Sequence, residues 1–377
     1  MAPRPTRVFL VAGERSGDAH GASLMRDLAE LRPGIELRGL GGPLMKEQSA
    51  GVADWVEEAG VLGLWEVLKK YGWFRQRLEE TVSAVEEWKP DAVILIDYPG
   101  FNLRLAERLQ SLRPATRLLY YISPQVWAWN RRRIPRMGRM LDRMLCIFPF
   151  EKDLYESSGL AAEFVGHPFV EELAPRRAHP PPREDDLVGW FPGSRLREIQ
   201  KHFPVMVEAT ALLRRVSPDL RFLASAASPQ VAGPIHRMIE EAGLENVVRV
   251  ETGNSRDWMQ RCGLGAVASG TATLEAAFLG LPYALVYSVA WPTYAAGRLL
   301  IRVPHLGIVN LLAGRQVVPE FLQDDLEPGR LARWVHGLAH DPARRQAMQA
   351  EMESTIGRLG QAGGRQRVAR AVCEALG

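Results

Sequence analysis

The chain has few cysteines, little net charge and no hydrophobic run long enough to span a membrane. Its three cysteines, Cys146, Cys262 and Cys373, lie far apart, which excludes a cysteine metal motif and favours free thiols in a reducing compartment. The net charge of +3 and the dispersed basic residues argue against nucleic-acid binding. No apolar run approaches the roughly 20 residues of a transmembrane helix, and no signal peptide is predicted. These absences predict a cytoplasmic protein.

What the chain does have is length and a regular alternation of apolar patterns. With 377 residues it exceeds the usual size of a single hydrophobic core, so two domains are expected. Strand-like apolar runs occupy residues 8–12, 92–96, 118–122, 144–148, 187–191, 221–224, 247–250, 265–268 and 283–287. Helical patterns lie between them, notably over 74–88, 103–112, 204–216 and 271–279. This alternation predicts an α/β fold with parallel sheets covered on both faces.

A proline-rich stretch divides the alternation. Residues 173–186 show no apolar periodicity, and their prolines favour extended backbone, so they are predicted to link two domains. The first domain is then expected over 1–172 and the second over 187–345. Residues 346–377 are predicted to be helical, with the first domain as a candidate packing surface. Because open α/β sheets bind ligands at the carboxyl ends of their strands, the domains are expected to face a central cleft.

Two strand-to-helix turns in the second half suit a phosphate. A helix N-terminus presents unpaired N–H groups and a partial positive charge, which favours an anion. A threonine there can cap exposed amides, and a glutamate one turn into the helix can reach a pair of sugar hydroxyls. We interpret these turns as a nucleotide-sugar site formed by Gly193, Ser194, Arg195, Ser269, Gly270, Thr271, Thr273 and Glu275.

In the first half, Asp97 follows the strand-like run 92–96. Its carboxylate is expected at the mouth of the cleft, where it can accept a proton from an attacking hydroxyl. The alternative is that it only accepts hydrogen bonds from the turn behind it. The loop 13–21 lacks the glycine spacing of a dinucleotide fingerprint, so it is either an acceptor-binding loop or a tight turn with a helix cap. The further cleft candidates are Ser16, Gly17, Asp18, Asn102, Ser123 and His167.

Two segments combine aromatic and basic residues. Residues 61–78 contain Leu64, Trp65 and Leu68 on one helical face and several lysines and arginines, which suits either a membrane surface or packing on a core. Residues 120–133 follow a strand and include two tryptophans and three arginines. They can stack nucleic-acid bases, line a sugar- or phosphate-binding wall, or form part of the core and surface.

Together these segments resemble one family, the lipid-A-disaccharide synthases. No single motif would suffice, but the motifs run in order over nearly the whole chain. The matching segments are Ala12–Glu14, Ser16–Asp18, Gly41–Met45, Asp97–Asn102, Ser123–Trp129, Phe148–Glu151, Val165–Pro168, Pro192–Arg195, Ser269–Glu275, Asn310–Arg315 and Pro319–Gln323. The resemblance has two departures, since the family often has a small residue at the position of Tyr98 and an acidic one at Gly100.

The resemblance implies an inverting GT-B glycosyltransferase with two Rossmann-like domains facing a cleft. The implied substrates are UDP-2,3-diacylglucosamine as donor and 2,3-diacylglucosamine 1-phosphate as acceptor, and no metal or other cofactor is implied. Asp97 would be the base, Arg195 would steady the departing diphosphate, and Glu275 would hold the ribose. Asn310 and Gln323 would line the donor site.

The resemblance further implies a peripheral protein on the cytoplasmic face of the inner membrane, and leaves a homodimer open. Other functions remain compatible with the residues. One is another UDP-sugar enzyme of the same fold, either a transferase that adds N-acetylglucosamine to a lipid-linked muramyl peptide or an epimerase. Another is a UDP-sugar sensor without catalysis, which would bind UDP but show no turnover.

Overall fold

A computed structural model of the protein describes residues 4–59, 70–291, 294, 297 and 303–377. The chain divides into two compact units. Unit 1 comprises Met1–Val170 and Leu359–Gly377, and unit 2 comprises Glu171–Arg358.

Unit 1 is built on a parallel sheet of seven strands in the order β3-β2-β1-β4-β5-β6-β7. Its strands are β1 (Arg7–Ala12), β2 (Glu36–Gly41), β3 (Val52–Asp54), β4 (Ala92–Ile96), β5 (Arg117–Tyr121), β6 (Arg143–Cys146) and β7 (Ala162–Phe164). The helices that accompany them are α1 (Arg15–Leu31), α2 (Pro43–Gln48), α3 (Val56–Ala59), α4 (Tyr71–Trp88), α5 (Pro99–Arg108), α6 (Val126–Trp129), α7 (Ile134–Met140) and α8 (Pro149–Glu156).

The strands β1 and β4 form the buried centre of this sheet. All five residues of β4 are buried, as expected for a parallel strand covered on both faces. β4 pairs with β1 so that Ala12 lies opposite Ile96. The strand order changes direction between these two strands, and open α/β sheets bind ligands at such a switch point. The residues that follow β1 and β4 therefore emerge side by side at the edge that suits a ligand.

Unit 2 also contains a parallel sheet, with six strands in the order β10-β9-β8-β11-β12-β13. Its strands are β8 (Glu184–Phe191), β9 (Arg221–Ala226), β10 (Val248–Thr252), β11 (Cys262–Ala268), β12 (Tyr283–Tyr287) and β13 (Glu320–Leu322). Its helices are α9 (Phe169–Glu172, at the boundary of the units), α10 (Ala174–Ala178), α11 (Leu196–Val216), α12 (Pro229–Glu241), α13 (Ser255–Arg261), α14 (Thr271–Phe278), α15 (Ile308–Ala313), α16 (Pro328–Ala339) and α17 (Pro342–Ile356). Its switch point lies between β8 and β11, where Phe191 is opposite Val267.

The predicted α/β class is confirmed, since both units have a Rossmann-like parallel sheet. The apolar runs did not reveal four strands: β2, which carries charged residues and glycine, and the short β3, β7 and β13. The prediction that a helix begins at Pro204 is wrong, because α11 begins eight residues earlier, at Leu196, and contains Pro204 in its interior. The Glu198 carboxylate accepts from the Arg195 amide and starts the helix there.

The proline-rich stretch has more structure than a linker, and the C-terminus is helical. Within residues 173–186 the chain forms α10 and the start of β8. The Arg183 guanidinium donates to the carbonyl oxygens of Met259, Cys262 and Leu279, which fixes this stretch to unit 2. The last helix, α18 (Gly364–Leu376), belongs to unit 1, where it packs against α1.

Candidate functional site

Asp97 stands at the switch point of unit 1, directly after β4. Asp97 and Tyr98 both have left-handed backbone, with φ of 46° and 48°, a conformation that costs energy in residues other than glycine and often marks functional sites. Two side chains hold the turn through its main chain. The side-chain amide of Asn102 and the hydroxyl of Tyr120 both donate to the Asp97 carbonyl, at 2.7 and 2.5 Å. These two bonds do not involve the carboxylate of Asp97, which accepts from the main-chain amide of Tyr98.

The carboxyl group of Asp97 has a raised pKa. Burial raises the pKa of Asp97 to about 6, and the nearby charge of Glu14 adds to that rise. Glu14 precedes α1 at the end of β1, so the two acidic residues come from the two strands of the switch point. A carboxylate with a pKa close to the working pH is a better general base than an ordinary one.

Tyr98 and Gly100, which depart from the family pattern, differ in their contacts. The Tyr98 ring packs on Gly13, where an added Cβ would lie 2.2 Å from the ring, and its hydroxyl donates to the Ala59 carbonyl at 2.9 Å. Gly13 therefore leaves the space that the larger Tyr98 fills. Gly100 is exposed, with open space around its Cβ position.

Three of the cleft candidates have structural tasks inside unit 1. Asn102 is 0 % exposed, and its amide donates to the carbonyls of Ile96 and Asp97. The Asp18 carboxylate is buried and accepts from three amides at the start of α2, those of Gly42, Leu44 and Met45. It therefore caps α2. Gly17 is buried where α1 approaches β1.

The other cleft candidates follow β1, β5 and β7. Ser16 is exposed in the first turn of α1. Ser123 is buried after β5. His167 is buried after β7 between the rings of Phe148 and Phe169, and its Nδ1 accepts from the Phe169 amide at 3.1 Å. Burial lowers the pKa of His167 to about 3, so the ring is neutral at physiological pH.

Glu151 is a buried carboxyl group for which the sequence analysis predicted no role. Its side chain is fully buried and accepts from the Trp127 indole at 2.9 Å and the Phe148 amide at 3.1 Å. Burial raises the pKa of Glu151 to about 7. Glu151 thus holds the loop after β5 to the loop after β6, both at the edge that carries Asp97.

In unit 2, the turn Gly193–Arg195 follows β8 and leads into α11. Gly193 has φ of 116°, and an added Cβ there would lie 2.5 Å from the Glu198 carboxylate, so the position requires glycine. The amides of Ser194 and Arg195 donate to that carboxylate at 3.2 and 3.3 Å, and the Arg195 guanidinium pairs with it at 2.8 Å. The Arg195 side chain is 64 % exposed. The guanidinium is thus held at the turn and stays accessible to an anion.

The second turn lies beside the first, because β8 and β11 are neighbours. Gly270 precedes α14 with φ of 133° and open space around it, and Gly270 and Thr271 are exposed, while Ser269 is half-buried. The expectation that Thr273 caps an amide is wrong, because its buried hydroxyl donates to the Gly270 carbonyl at 2.7 Å. What the turn offers an anion is therefore the backbone of the first turn of α14.

Glu275 lies one turn into α14 and is held by an arginine. Its Oε1 accepts from Nε and Nη2 of Arg256 at 2.9 and 2.5 Å, and its side chain is 17 % exposed. Arg256 also pairs with Glu172 at 2.6 Å. Arg256 therefore fixes the position of the Glu275 carboxylate in α14.

Asn310 and Gln323 are engaged within unit 2. Asn310 is fully buried, and its side-chain amide makes four hydrogen bonds. Its Oδ1 accepts from the amides of Val317 and Val318, and its Nδ2 donates to the Val318 carbonyl and the Glu320 carboxylate. These bonds fix the loop after α15, and the role of Asn310 in lining the donor site stays a prediction. Gln323 uses both ends of its amide on the backbone of Val289.

His202 is a second residue that the sequence analysis missed. It is buried in α11, its Nδ1 lies 2.9 Å from the Pro192 carbonyl, and its Nε2 accepts from the Ser288 amide at 3.0 Å. This pattern fits the neutral tautomer with the proton on Nδ1, and burial lowers the pKa of His202. The imidazole therefore ties the turn after β8 to the loop after β12. A single histidine inside a helical pattern gives no signal of this role.

The predicted membrane-facing residues Leu64, Trp65 and Leu68 lie outside the described residues. Of the same segment, Trp73 stacks on the buried Trp55 with the ring centroids 5.9 Å apart, so it is partly committed to unit 1. Among the described residues, no helix is both long and apolar enough to cross a membrane. No group of three or more His, Cys, Asp or Glu side chains in that part of the chain is arranged to hold a metal ion.

Comparisons with known proteins agree with these two sheets. The chain resembles several solved structures of low sequence identity, which share its fold. A putative UDP-N-acetylglucosamine 2-epimerase from Listeria monocytogenes superimposes with a TM-score of 0.62 at 12 % identity, covering 98 % of this chain and 96 % of that one. The glycosyltransferase of kitacinnamycin gives a TM-score of 0.60 at 17 % identity, and each chain is covered completely. The GT-B fold class is thereby confirmed.

Comparison of sequences is more specific. Residues 8–373 match the family model described as lipid-A-disaccharide synthetase. The chain is 41 % identical to the lipid-A-disaccharide synthase of Geobacter sulfurreducens, over 98 % of this chain and 97 % of that protein. It is 38 % identical to that of Myxococcus xanthus, with 99 % and 98 % covered. The chain therefore belongs to the lipid-A-disaccharide synthase family, and it is a glycosyltransferase of lipid A biosynthesis.

Proposed function

We propose that the enzyme transfers 2,3-diacylglucosamine from UDP to the 6-hydroxyl of 2,3-diacylglucosamine 1-phosphate. The products are the β-1,6-linked lipid A disaccharide 1-phosphate and UDP. The observation that carries this proposal is the chemistry at the two switch points. Unit 1 offers a carboxylate with a raised pKa, and unit 2 offers two adjacent anion-binding turns with an arginine and a glutamate.

The proposed reaction is a single displacement. Asp97 takes the proton of the acceptor hydroxyl, whose oxygen forms a bond to the anomeric carbon of the donor. The bond from that carbon to the β-phosphate oxygen breaks, and UDP leaves with the electron pair, so the configuration at the anomeric carbon inverts. The Arg195 guanidinium and the N-terminus of α14 stabilise the charge that develops on the diphosphate. The scheme assigns no role to a metal ion or other cofactor.

We propose further that the enzyme acts on the cytoplasmic face of the inner membrane as a peripheral protein. Both proposed substrates carry acyl chains, which keep them in a bilayer while the sugar nucleotide remains in water. Residues 61–78, with Leu64, Trp65 and Leu68, were predicted from the sequence to contact that surface. A homodimer remains compatible with the proposal.

The function is tested by measuring UDP release with defined substrates. We expect release from UDP-2,3-diacylglucosamine only when 2,3-diacylglucosamine 1-phosphate is present, and much slower release from the unacylated donor. A UDP-sugar epimerase would instead convert its donor without an acceptor. A sensor would bind UDP in calorimetry and show no turnover with any acceptor, and either result would contradict the proposal.

Glu275→Gln is expected to raise the Michaelis constant for the donor by about 10-fold or more, with a smaller decrease in turnover. The substitution weakens a charge-assisted hydrogen bond to the ribose, which holds the substrate without sensing the reacting bond. Arg256 keeps its pair with Glu172, which limits the disturbance of the fold. Steady-state kinetics measures the split, with the exposed Glu240→Gln in α12 as control. A decrease confined to turnover would place Glu275 in the chemistry.

A further inference from the structure

The segment after β5 is strongly basic and firmly anchored. Residues 131–139 contain five arginines and no acidic residue. The helix α6 directly precedes these residues, and its buried Trp127 donates from the indole to Glu151 at 2.9 Å. The Arg131 side chain in turn donates to the Trp127 carbonyl at 3.0 Å. The surface that these residues present is therefore held in place by the core of unit 1.

The outer side of this segment combines an exposed indole with unneutralised charge. Trp129 is 43 % exposed, and the Arg133 guanidinium lies 5.0 Å from the centre of its ring. Arg136 pairs with Glu107. Within the part of the chain that the structure describes, the other four arginines, Arg131, Arg132, Arg133 and Arg139, make no ion pair with a carboxylate. We call Trp129 and these four arginines the arginine surface.

The composition of the arginine surface points to one kind of partner. Tryptophan settles at the boundary between headgroups and acyl chains, and guanidinium groups bind phosphate oxygens in pairs. Nucleic acid is a poorer fit, because single strands bind on successive aromatic rings and Trp129 is one exposed ring. The surface is also continuous in sequence with the loop after β5, whose strand lies beside β4 and Asp97.

We propose that the arginine surface docks unit 1 on a bilayer by binding the phosphate groups of anionic phospholipids. The proposal rests on the proposed function, in which the substrates are acylated and the enzyme must work at a bilayer. It assigns the electrostatic part of that contact to residues 129–139, whereas the sequence predicted an apolar contact through residues 61–78. Each basic residue near an anionic bilayer strengthens binding by about 1 kcal/mol, so the contact is sensitive to salt.

The test uses the full-length protein and the double variant Arg132→Gln/Arg133→Gln. Binding is measured by co-sedimentation with vesicles of phosphatidylcholine alone and of phosphatidylcholine mixed with phosphatidylglycerol, at low and high salt. The matched control is Arg214→Gln/Arg215→Gln, which removes the same charge from exposed positions on α11. Thermal unfolding of each variant checks the fold, and UDP release is measured in micelles of a neutral detergent.

We expect the Arg132/Arg133 variant to bind the phosphatidylglycerol vesicles at least about tenfold more weakly than the wild type. The control should bind like the wild type, high salt should remove the difference, and turnover in neutral micelles should not change. Three results would overturn the proposal. The first is unchanged binding to the anionic vesicles. The second is a raised Michaelis constant for the acceptor in neutral micelles, which would assign the arginines to the acceptor phosphate. The third is a loss of affinity for a single-stranded RNA oligonucleotide, measured in parallel, with vesicle binding retained. Failure of the wild type to release UDP would instead contradict the proposed function.

Discussion

Asp97→Asn is expected to lower turnover by about 10²–10⁴-fold while the fold and the affinity for UDP stay as they are. The amide has nearly the shape of the carboxylate but cannot take the proton of the attacking hydroxyl. The backbone that positions the residue is held through its carbonyl, by Asn102 and Tyr120, and these bonds do not involve the side chain that is changed. Turnover of the purified variant and calorimetry with UDP give the two measurements. Near-normal turnover would remove Asp97 from the mechanism.

The pH dependence provides a second check on the same residue. A general base must be ionised, and burial with the charge of Glu14 raises the pKa of Asp97 to about 6. The rate with the wild type should therefore fall as the pH drops through about 6, rather than near the ordinary aspartate pKa of about 4. The residual activity of Asp97→Asn should lack that step. A wild-type rate that stays level down to pH about 4.5 would contradict the assignment.

Arg195→Ala is expected to weaken UDP binding by roughly 10- to 100-fold, the range of a lost hydrogen bond to a charged group, and to slow transfer as well. The guanidinium remains charged at every working pH and can bind two phosphate oxygens at once. It lies at the turn after β8, held there by Glu198, with most of its surface accessible.

Calorimetry with UDP and initial rates measure both effects. Arg197→Ala is the matched control, since Arg197 is exposed two residues further along in α11. If the Arg195 variant bound UDP as tightly as the wild type, the diphosphate would have to lie elsewhere on unit 2. Equal losses in the two variants would indicate a general effect of positive charge on the first turn of α11.

The sequence alone predicts most strands of the two sheets and places a candidate site at their carboxyl ends. Buried parallel strands are continuous apolar runs, so β4 and β12 stand out, and Asp97 is visible as the first polar residue after β4. The turns after β8 and β11 are visible because each carries a glycine, and in the structure both glycines have a positive φ that other residues rarely adopt.

The direction of a polar side chain in a loop is harder to predict. Asp18 looks like a ligand-binding residue beside Ser16 and Gly17, yet it accepts from amides 24 to 27 residues away. The Oδ1 of Asn310 likewise accepts from the amides of Val317 and Val318. Whether such a group faces a ligand or the chain depends on which distant amides the fold brings to it. The roles of Glu151 and His202 were not predicted, because their hydrogen-bond partners cannot be recognised from the residues beside them in the sequence.

The hydrogen bonds of His202 couple the motions of two loops, the one after β8 and the one after β12. Its imidazole bonds the carbonyl that precedes the turn Gly193–Arg195 and the amide of Ser288 in the loop after β12. Neither loop can move away without leaving a buried ring nitrogen unsatisfied, which costs about 1–3 kcal/mol. The Ser288 amide can exchange its hydrogen with solvent only when this bridge opens. The hydrogen-exchange rate of the Ser288 amide would therefore report how often its bond to His202 opens. A ligand that bound the turn after β8 would slow this exchange without contacting the loop after β12.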